Sequence, residues 1–359
     1  MKFIETVYEK LRRHPKRIVF PEGTEPRVLH AAEQFVKLKL GAPILLGNRD
    51  EIKTLAEREK VNLHRIGIID PAQSNELPLF SRWLRKLQRY RNLGEGEAEG
   101  FLLNPNYFGA MMIQHGQADA MVGGVSGYAG SLLRPLFQLV KPLPEVAFIS
   151  SCMLMALKDE RFGEKGVLFF ADCAVIPEPD VQQLAQIGVQ AGRLCAQLTG
   201  ERPRVAFLSY SSKGSARSAS TEKVAAAVGQ AKKEAEKQEM EIEVDGELQA
   251  DTALLPDLAT LKAPGSLVAG RANVLIFPDL NAGNIAVKLV EHLAGAETYG
   301  QILLGLSKPC ADLSRGASVE TIVGAAAIVG LQAIEYRKLY PLDPREEDEE
   351  LALFENRRG

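Results

Sequence analysis

The sequence predicts a layered α/β fold with mostly parallel strands. Three observations lead there. Short apolar runs that end in Gly, Asp, Ser or Pro recur along the chain. Segments with helical patterning separate them almost throughout. The runs are continuous rather than alternating, as expected of parallel strands covered on both faces. In such folds ligands usually sit beyond the C-terminal ends of the strands. At 359 residues the chain is long enough for two domains with separate cores.

The strands expected in order are Arg17–Phe20, Pro43–Gly47, Ile66–Asp70, Ala118–Gly123 and Val146–Ser150, followed by Val167–Ala171, Val205–Ser209, Ile242–Asp245, Val274–Phe277 and Ile302–Gly305. Among the helices, Pro26–Leu38 opens after Gly23-Thr24-Glu25, Asp180–Thr199 is long and mixed, and Ser318–Ala333 is rich in apolar residues. Thr221–Gln238 carries Lys232, Lys233, Glu234, Glu236 and Lys237, the mixture of a solvated face. Arg82, Arg85, Lys86, Arg89 and Arg91 form a denser basic stretch, read either as a solvated helix or as an anion funnel ending at Arg91. After Pro341 and Pro344 the run Glu346-Glu347-Asp348-Glu349-Glu350 reads as an acidic extension over 341–359.

The bulk numbers exclude several classes. Apolar residues make up 46% and charged residues 25%, ordinary for a globular protein. A net charge of −3 offers no general attraction to nucleic acid or membrane. Cys152, Cys173, Cys195 and Cys310 show no metal-ligand spacing, and no histidine cluster accompanies them. No metal site is expected. The charged N-terminus does not read as a secretory segment, no apolar run reads as a membrane span, and a cytoplasmic location is expected.

Four segments carry more Gly, Ser, Arg and Asp than packing requires. The first runs from Gly123 and Gly124 through Ser126, Gly127, Tyr128 and Gly130 to Arg134. A Gly-rich loop after a strand lets backbone N–H groups approach a phosphate, although a tight turn has the same composition. Its spacing is neither that of a Walker loop nor that of a dinucleotide fingerprint. The second is Phe170 to Val175, with Asp172 at a strand end, where caps and turns are common. The third runs from Ser209 through Ser212, Lys213 and Gly214 to Arg217. Its groups suit a phosphorylated ligand or a polar loop capping the next helix.

The fourth, Asp312-Leu313-Ser314-Arg315-Gly316, lies between an apolar run at Gln301–Gly305 and the helix from Ser318. It gathers a hydroxyl, a guanidinium and backbone N–H groups, as an anionic substrate needs, or else it caps that helix. The histidines at 14, 30, 64, 115 and 292 fall outside all four segments, so a serine-hydrolase triad is not indicated.

Taken in order, these segments resemble the phosphate acetyl/butyryl transferase family. The match includes Arg17 to Gly23, Asn106-Tyr107-Phe108-Gly109, Leu133-Arg134-Pro135 and Ala171-Asp172-Cys173-Ala174. It continues through Ser212 to Ala216, Asp245 to Gln249, Phe277-Pro278, Ala282-Gly283-Asn284-Ile285 and Asp312 to Gly316. Only the tail beyond about Tyr340 falls outside it. The resemblance implies two αβα-layered domains with mostly parallel sheets and an active site in the interdomain cleft. It places a discontinuous first domain at 1–150 plus 301–340 and a second at 151–300, in a homodimer.

The implied reaction is reversible: acetyl-CoA plus phosphate gives acetyl phosphate plus CoA, by direct thiolate attack. CoA or acetyl-CoA and phosphate or acetyl phosphate are its substrates, with no tightly bound cofactor. By position, Ser314, Arg315 and Arg134 take the family's catalytic places, and Arg91 matches more loosely. Gly123, Gly124, Ser126, Tyr128, Ser212, Lys213, Gly283 and Asn284 are the implied substrate-binding residues.

Departures from the family pattern open alternatives. The family usually has an aspartate seven residues after the serine, thought to deprotonate the CoA thiol; here Thr321 stands there. Glu320 is adjacent, but one helical step turns a side chain by roughly 100°. A thiol with a pKa of about 8.5 is already partly ionised at neutral pH, so the chemistry would be slowed rather than lost, and its rate would climb with pH. Gly127-Tyr128-Ala129-Gly130-Ser131 and Ile176 also depart from the pattern, which leaves butyryl or another short acyl group open. A weakly catalytic, acyl-CoA-binding regulatory paralogue is a second reading. A decarboxylating dehydrogenase is a third, without the acidic metal ligands it would need. Cys173 and Cys310 read as small buried hydrophobes.

Overall fold

The computed structural model describes residues 3–128 and 130–339, so the acidic extension expected at 341–359 lies outside the described residues. The chain runs α1 (Phe3–Arg13), β1 (Lys16–Phe20), α2 (Pro26–Lys37), β2 (Gly41–Leu46), α3 (Arg49–Glu59), β3 (Gly67–Ile69), α4 (Leu77–Lys86), α5 (Glu95–Leu102), α6 (Pro105–Gln114), β4 (Ala120–Gly123) and α7 (Leu133–Leu139). It continues with β5 (Ser150–Ala156), β6 (Val167–Ala171), α8 (Val181–Thr199), β7 (Arg204–Leu208), α9 (Ala219–Lys237), β8 (Glu243–Leu248), α10 (Ala250–Leu254), α11 (Pro256–Lys262), β9 (Val274–Ile276), α12 (Leu280–Leu293) and β10 (Glu297–Leu304). It closes with β11 (Cys310–Asp312) and α13 (Val319–Leu339).

Local chemistry accounts for many of the helix ends. Asp180 and Gln183 form a reciprocal cap at the start of α8, and Gly200 ends that helix in the left-handed region. Ser218 with Thr221 does the same for α9, and Asn48 caps α3. Pro26 sits in the first turn of α2, where no N–H is needed.

The chain divides into two compact units. The first takes Ile4–Lys141 and 306–339; the second takes Pro142–Gly305 together with Phe3. In the first unit the strands lie in the order β3-β2-β1-β4-β11, all paired in parallel. Successive residues of β1 show that helices cover both faces. Val19 lies against Gly109 of α6, whereas Ile18 lies against Gly330 of α13, and neighbouring residues of a strand point to opposite sides. The core of this unit is α13, fully buried at Ile322, Val323 and Ala325 to Val329 and packed on α2, β1 and β4.

In the second unit the order is β10-β5-β6-β9-β7-β8. β5 is antiparallel to both neighbours, and β6, β9, β7 and β8 are parallel. Phe207 of β7 faces Gly188 of α8. Ala206 and Leu208 belong instead to a cluster with Ala253 of α10, Ala259 of α11 and Val287 of α12. Each unit is therefore an αβα sandwich.

Three sequence expectations are corrected. The strand expected at Val146–Ser150 starts at Ser150 instead; Val146 is apolar because it turns back to Leu143 and packs on Gly305. β11, only three residues long, was not expected at all; its register is set by pairing with β4 rather than by an apolar run. Val319–Tyr336 is long and apolar enough, by length and composition, to cross a membrane. Most of it is buried in the first unit, which explains the composition without a bilayer.

Candidate active site

In the first unit, β1, β4 and β11 run in parallel, and their C-terminal ends carry the loops that matter. β11 pairs with β4 through Cys310↔Met121, Ala311↔Val122 and Asp312↔Gly123. The ladder continues where the Leu313 N–H donates to the Gly123 carbonyl at 2.7 Å. This register sets the Gly-rich loop after β4 beside the Ser314-Arg315-Gly316 loop after β11. Gly124 has φ +91°, and a side chain there would collide with the Asp312 carboxylate and the Leu313 backbone. Glycine is thus needed for two strand-end loops to touch.

Two charged residues from the segment after β1 tie these loops together. The Glu22 carboxylate accepts hydrogen bonds from the N–H groups of Val125 (2.8 Å), Ser126 (2.7 Å) and Gly127 (3.1 Å), and from the Ser126 hydroxyl (2.8 Å). The backbone donors read as a phosphate cradle in the sequence are therefore occupied by an internal carboxylate. The Arg27 guanidinium donates to the carbonyls of Arg315 (2.7 Å), Ala317 (2.9 Å) and Val125 (3.1 Å), with Glu25 against its Nε. Sequence reasoning gave neither residue a role. The available signal was two charged groups directly following a buried strand.

Ser314 and Arg315 are exposed, and so are Arg134, at the start of α7, and Arg91, in the turn after α4. Among the described residues none of the guanidinium groups of Arg91, Arg134 and Arg315 makes a hydrogen bond or an ion pair. The turn that bears Arg91 is anchored by Tyr90, whose hydroxyl bonds Gln138 of α7, and Tyr107 reaches the same Gln138 at 3.3 Å. Burial pushes the Tyr90 hydroxyl up to about 12, with the Tyr107 contact adding to it. Tyr90 and Gln138 thus join the elements that carry Arg91 and Arg134. Arg82, Arg85, Lys86 and Arg89 are exposed, as a solvated helix requires. Tyr128 is 78% exposed.

After β11 the chain enters α13 with Ser318 as its cap: the Ser318 hydroxyl accepts from the Thr321 N–H at 3.2 Å and donates to the Thr321 hydroxyl at 3.3 Å. Thr321 is a helix-start residue with its hydroxyl engaged. The Asp312 carboxyl, by contrast, accepts no hydrogen bond among the described residues. Burial, reinforced by the charge of Glu22, pushes it up to about 7.

The second unit holds the remaining expected residues, and each is engaged locally. Ser212 is buried; its hydroxyl accepts from the Gln249 N–H at 2.9 Å and lies 3.1 Å from the Thr252 hydroxyl. The Lys213 ammonium pairs with Asp245. Burial alone would raise that carboxyl, but the hydrogen bonds from Lys213 and Ser266 outweigh it and leave it lowered. Glu247 receives the Ser211 hydroxyl at 2.8 Å and the Gly214 N–H at 2.7 Å. Gly283 is where α12 presses onto the Asp172 carbonyl, and the Asn284 amide donates to the Cys173 carbonyl at 3.2 Å. Buried Asp172 organises that turn by accepting from the N–H groups of Ala174, Val175 and Ile176.

The four cysteines are free and buried, and burial raises the thiols of Cys173 and Cys310 far above the usual range. Among the described residues no group of three or more His, Cys, Asp or Glu side chains could hold a metal ion.

Comparison with known proteins bears on what this arrangement does. The sequence model of the phosphate acetyl/butaryl transferase family matches residues 2–330. A phosphate acetyltransferase of Acetivibrio thermocellus is 42% identical over 333 residues, which cover 93% of this chain and 98% of that protein. A phosphate acetyltransferase of Thermoanaerobacterium thermosaccharolyticum is 43% identical over 333 residues, covering 93% of this chain and all of that protein. The solved structure of the EutD phosphotransacetylase from Staphylococcus aureus superposes with a TM-score of 0.84 at 37% identity, covering 92% of this chain and 98% of its own.

Proposed function

We propose that this chain, which belongs to the phosphate acetyl/butyryl transferase family, moves an acetyl group reversibly between CoA and inorganic phosphate. It is an acyltransferase, and the relatives named above favour acetyl over longer chains. The observation that carries the reading is the uncommitted state of Ser314, Arg315, Arg134 and Arg91, in a unit where the guanidinium groups of Arg17 and Arg27 are engaged.

Guanidinium groups with free donor edges hold phosphate or acetyl phosphate bidentately. Attack of the CoA thiolate on the acetyl carbonyl builds negative charge on its oxygen. Arg315 and the Ser314 hydroxyl stabilise that charge by hydrogen bonding. In reverse, phosphate oxygen attacks acetyl-CoA and the thiolate leaves. CoA, acetyl-CoA, phosphate and acetyl phosphate are thus the partners, bound as substrates. No tightly held cofactor takes part.

A homodimer and a cytoplasmic location complete the proposal. Ile285, Leu289 and Leu293 of α12, spaced by four residues and 56%, 53% and 82% exposed, form an apolar row suited to a second copy. Light scattering of the wild type and of a Leu289→Glu, Leu293→Glu variant tests it; a wild-type monomer refutes it. Four free cysteines suit a reducing compartment.

The deciding experiment measures thiol release from acetyl-, propionyl- and butyryl-CoA, with and without phosphate. Phosphate-dependent release that is fastest with acetyl-CoA is expected. Fastest release with butyryl-CoA would reassign the acyl group. No release from a protein that still binds CoA would favour the regulatory reading, to which the engaged Thr321 points.

A further inference from the structure

We propose that Asp312 accepts the CoA thiol proton during acyl transfer, with Glu22 acting on it from the adjacent strand-end loop. The inference deepens the acyltransfer reading and rests on it. Transfer from acetyl phosphate to CoA requires the thiol to lose a proton, and Thr321 cannot take it: its side chain is neutral and engaged with Ser318. Glu320 is exposed and one helical step away.

Asp312 has the placement a base needs. It is the last residue of β11, two before Ser314. Burial alternates along this stretch: Ala311 and Leu313 are buried, Asp312 is half-buried and Ser314 is exposed. Alternation of this kind puts Asp312 and Ser314 on the same side of the chain. Gly124 makes room for the carboxylate, since any side chain there would displace it. Among the described residues nothing donates a hydrogen bond to it, so its lone pairs remain available.

The charged group that acts on it is Glu22, after β1; Arg315 and Glu320 follow Asp312 along the chain and are exposed. The Arg27 guanidinium is spent on the Glu25 carboxylate and on the backbone carbonyls of Arg315, Ala317 and Val125. Glu22 accepts from four donors of the β4 loop, and its charge acts on Asp312 in the same direction as burial, toward about 7. A base with that affinity is half-ionised at neutral pH, where general-base catalysis works best.

In the step itself, the Asp312 carboxylate takes the thiol proton and the sulfur pair forms the bond to the acetyl carbon. The bond from that carbon to the phosphate oxygen breaks, and phosphate leaves with the electron pair. Asp312 returns its proton to solvent or to the departing phosphate. In the reverse direction protonated Asp312 delivers the proton to the leaving thiolate.

The test is kcat/KM for CoA, at saturating acetyl phosphate, from pH 5.5 to 9, in the wild type, Asp312→Asn and Glu22→Gln, with folding checked by circular dichroism and acetyl-CoA affinity measured at pH 7. Expected for the wild type is a rise with a midpoint about 7, set by the Asp312 carboxyl, and a plateau above it. Asp312→Asn should fall by about 10²-fold at pH 7 and then climb through thiol ionisation at about 8.5, with acetyl-CoA affinity unchanged within about threefold. Glu22→Gln should move the wild-type limb to lower pH.

Asp312→Asn with the wild-type rate and limb would overturn the proposal, as would loss of acetyl-CoA affinity that accounts for the lost rate. Should Asp312→Asn not fold, Glu22→Gln decides, and an unmoved limb overturns it. A wild type that releases no thiol in a phosphate-dependent way would instead sink the acyltransfer reading itself.

Discussion

The strand-end loops of the two units look alike in composition and differ in commitment. In the second unit Ser212, Lys213, Asp172 and Asn284 spend their polar groups on neighbouring backbone and side chains. In the first unit Glu22 and Arg27 do that work, and Ser314, Arg315, Arg134, Arg91 and Asp312 are left over. Polar residues in a loop are therefore weak evidence of a site. Polar residues whose neighbours have already satisfied the backbone are stronger evidence, because folding has no remaining use for them.

The comparison breaks most directly at Arg315. Arg315→Ala should lower turnover by about 10²-fold or more, as loss of a donor to a developing oxyanion does, with the melting temperature kept. Near-normal turnover would return Arg315 to the solvated surface.

A smaller effect is expected at Gly188, where α8 meets Phe207 and a methyl group would collide with the ring. Gly188→Ala should cost about 1–3 kcal/mol by overpacking, read by urea unfolding, with a kcat unchanged in the folded fraction. At Lys213 the structural pairing with Asp245 expects Lys213→Met to cost about 1 kcal/mol, since the ammonium is partly solvated. If Lys213 instead holds substrate, KM rises while stability stays, and the contrast between the units is blurred there.

A pH dependence is expected in the first unit as well. His115 stacks on Trp83 at 3.5 Å, and burial, together with Lys141, Lys308 and Lys86, lowers its pKa to about 3. An unfolded histidine titrates at about 6.5, so on acidification the unfolded chain takes up this proton first. This contribution to stability is complete above about pH 6.5 and is lost progressively toward pH 3. His115→Gln should flatten unfolding free energies measured between those limits, and an unchanged slope would refute the assignment.

Much of the architecture follows from the sequence alone, because it rests on local rules. Continuous apolar runs mark β6 and β9 almost residue for residue, and side-chain caps mark the starts of α8 and α9. The chemistry-bearing segments were equally plain, since Ser314-Arg315 and Arg134 stand out against packing needs. What sequence left undecided was which of those groups are spent. That depends on contacts between residues about a hundred or more apart: Glu22 with Val125, Arg27 with Arg315, Gly124 with Asp312. β11 belongs to the same class, a three-residue strand that exists because β4 offers it a ladder. Periodicity and caps act within a few residues, whereas satisfying a loop's N–H groups or crowding a carboxylate requires the chain to return to the same place, and only the tertiary structure decides who is there when it does.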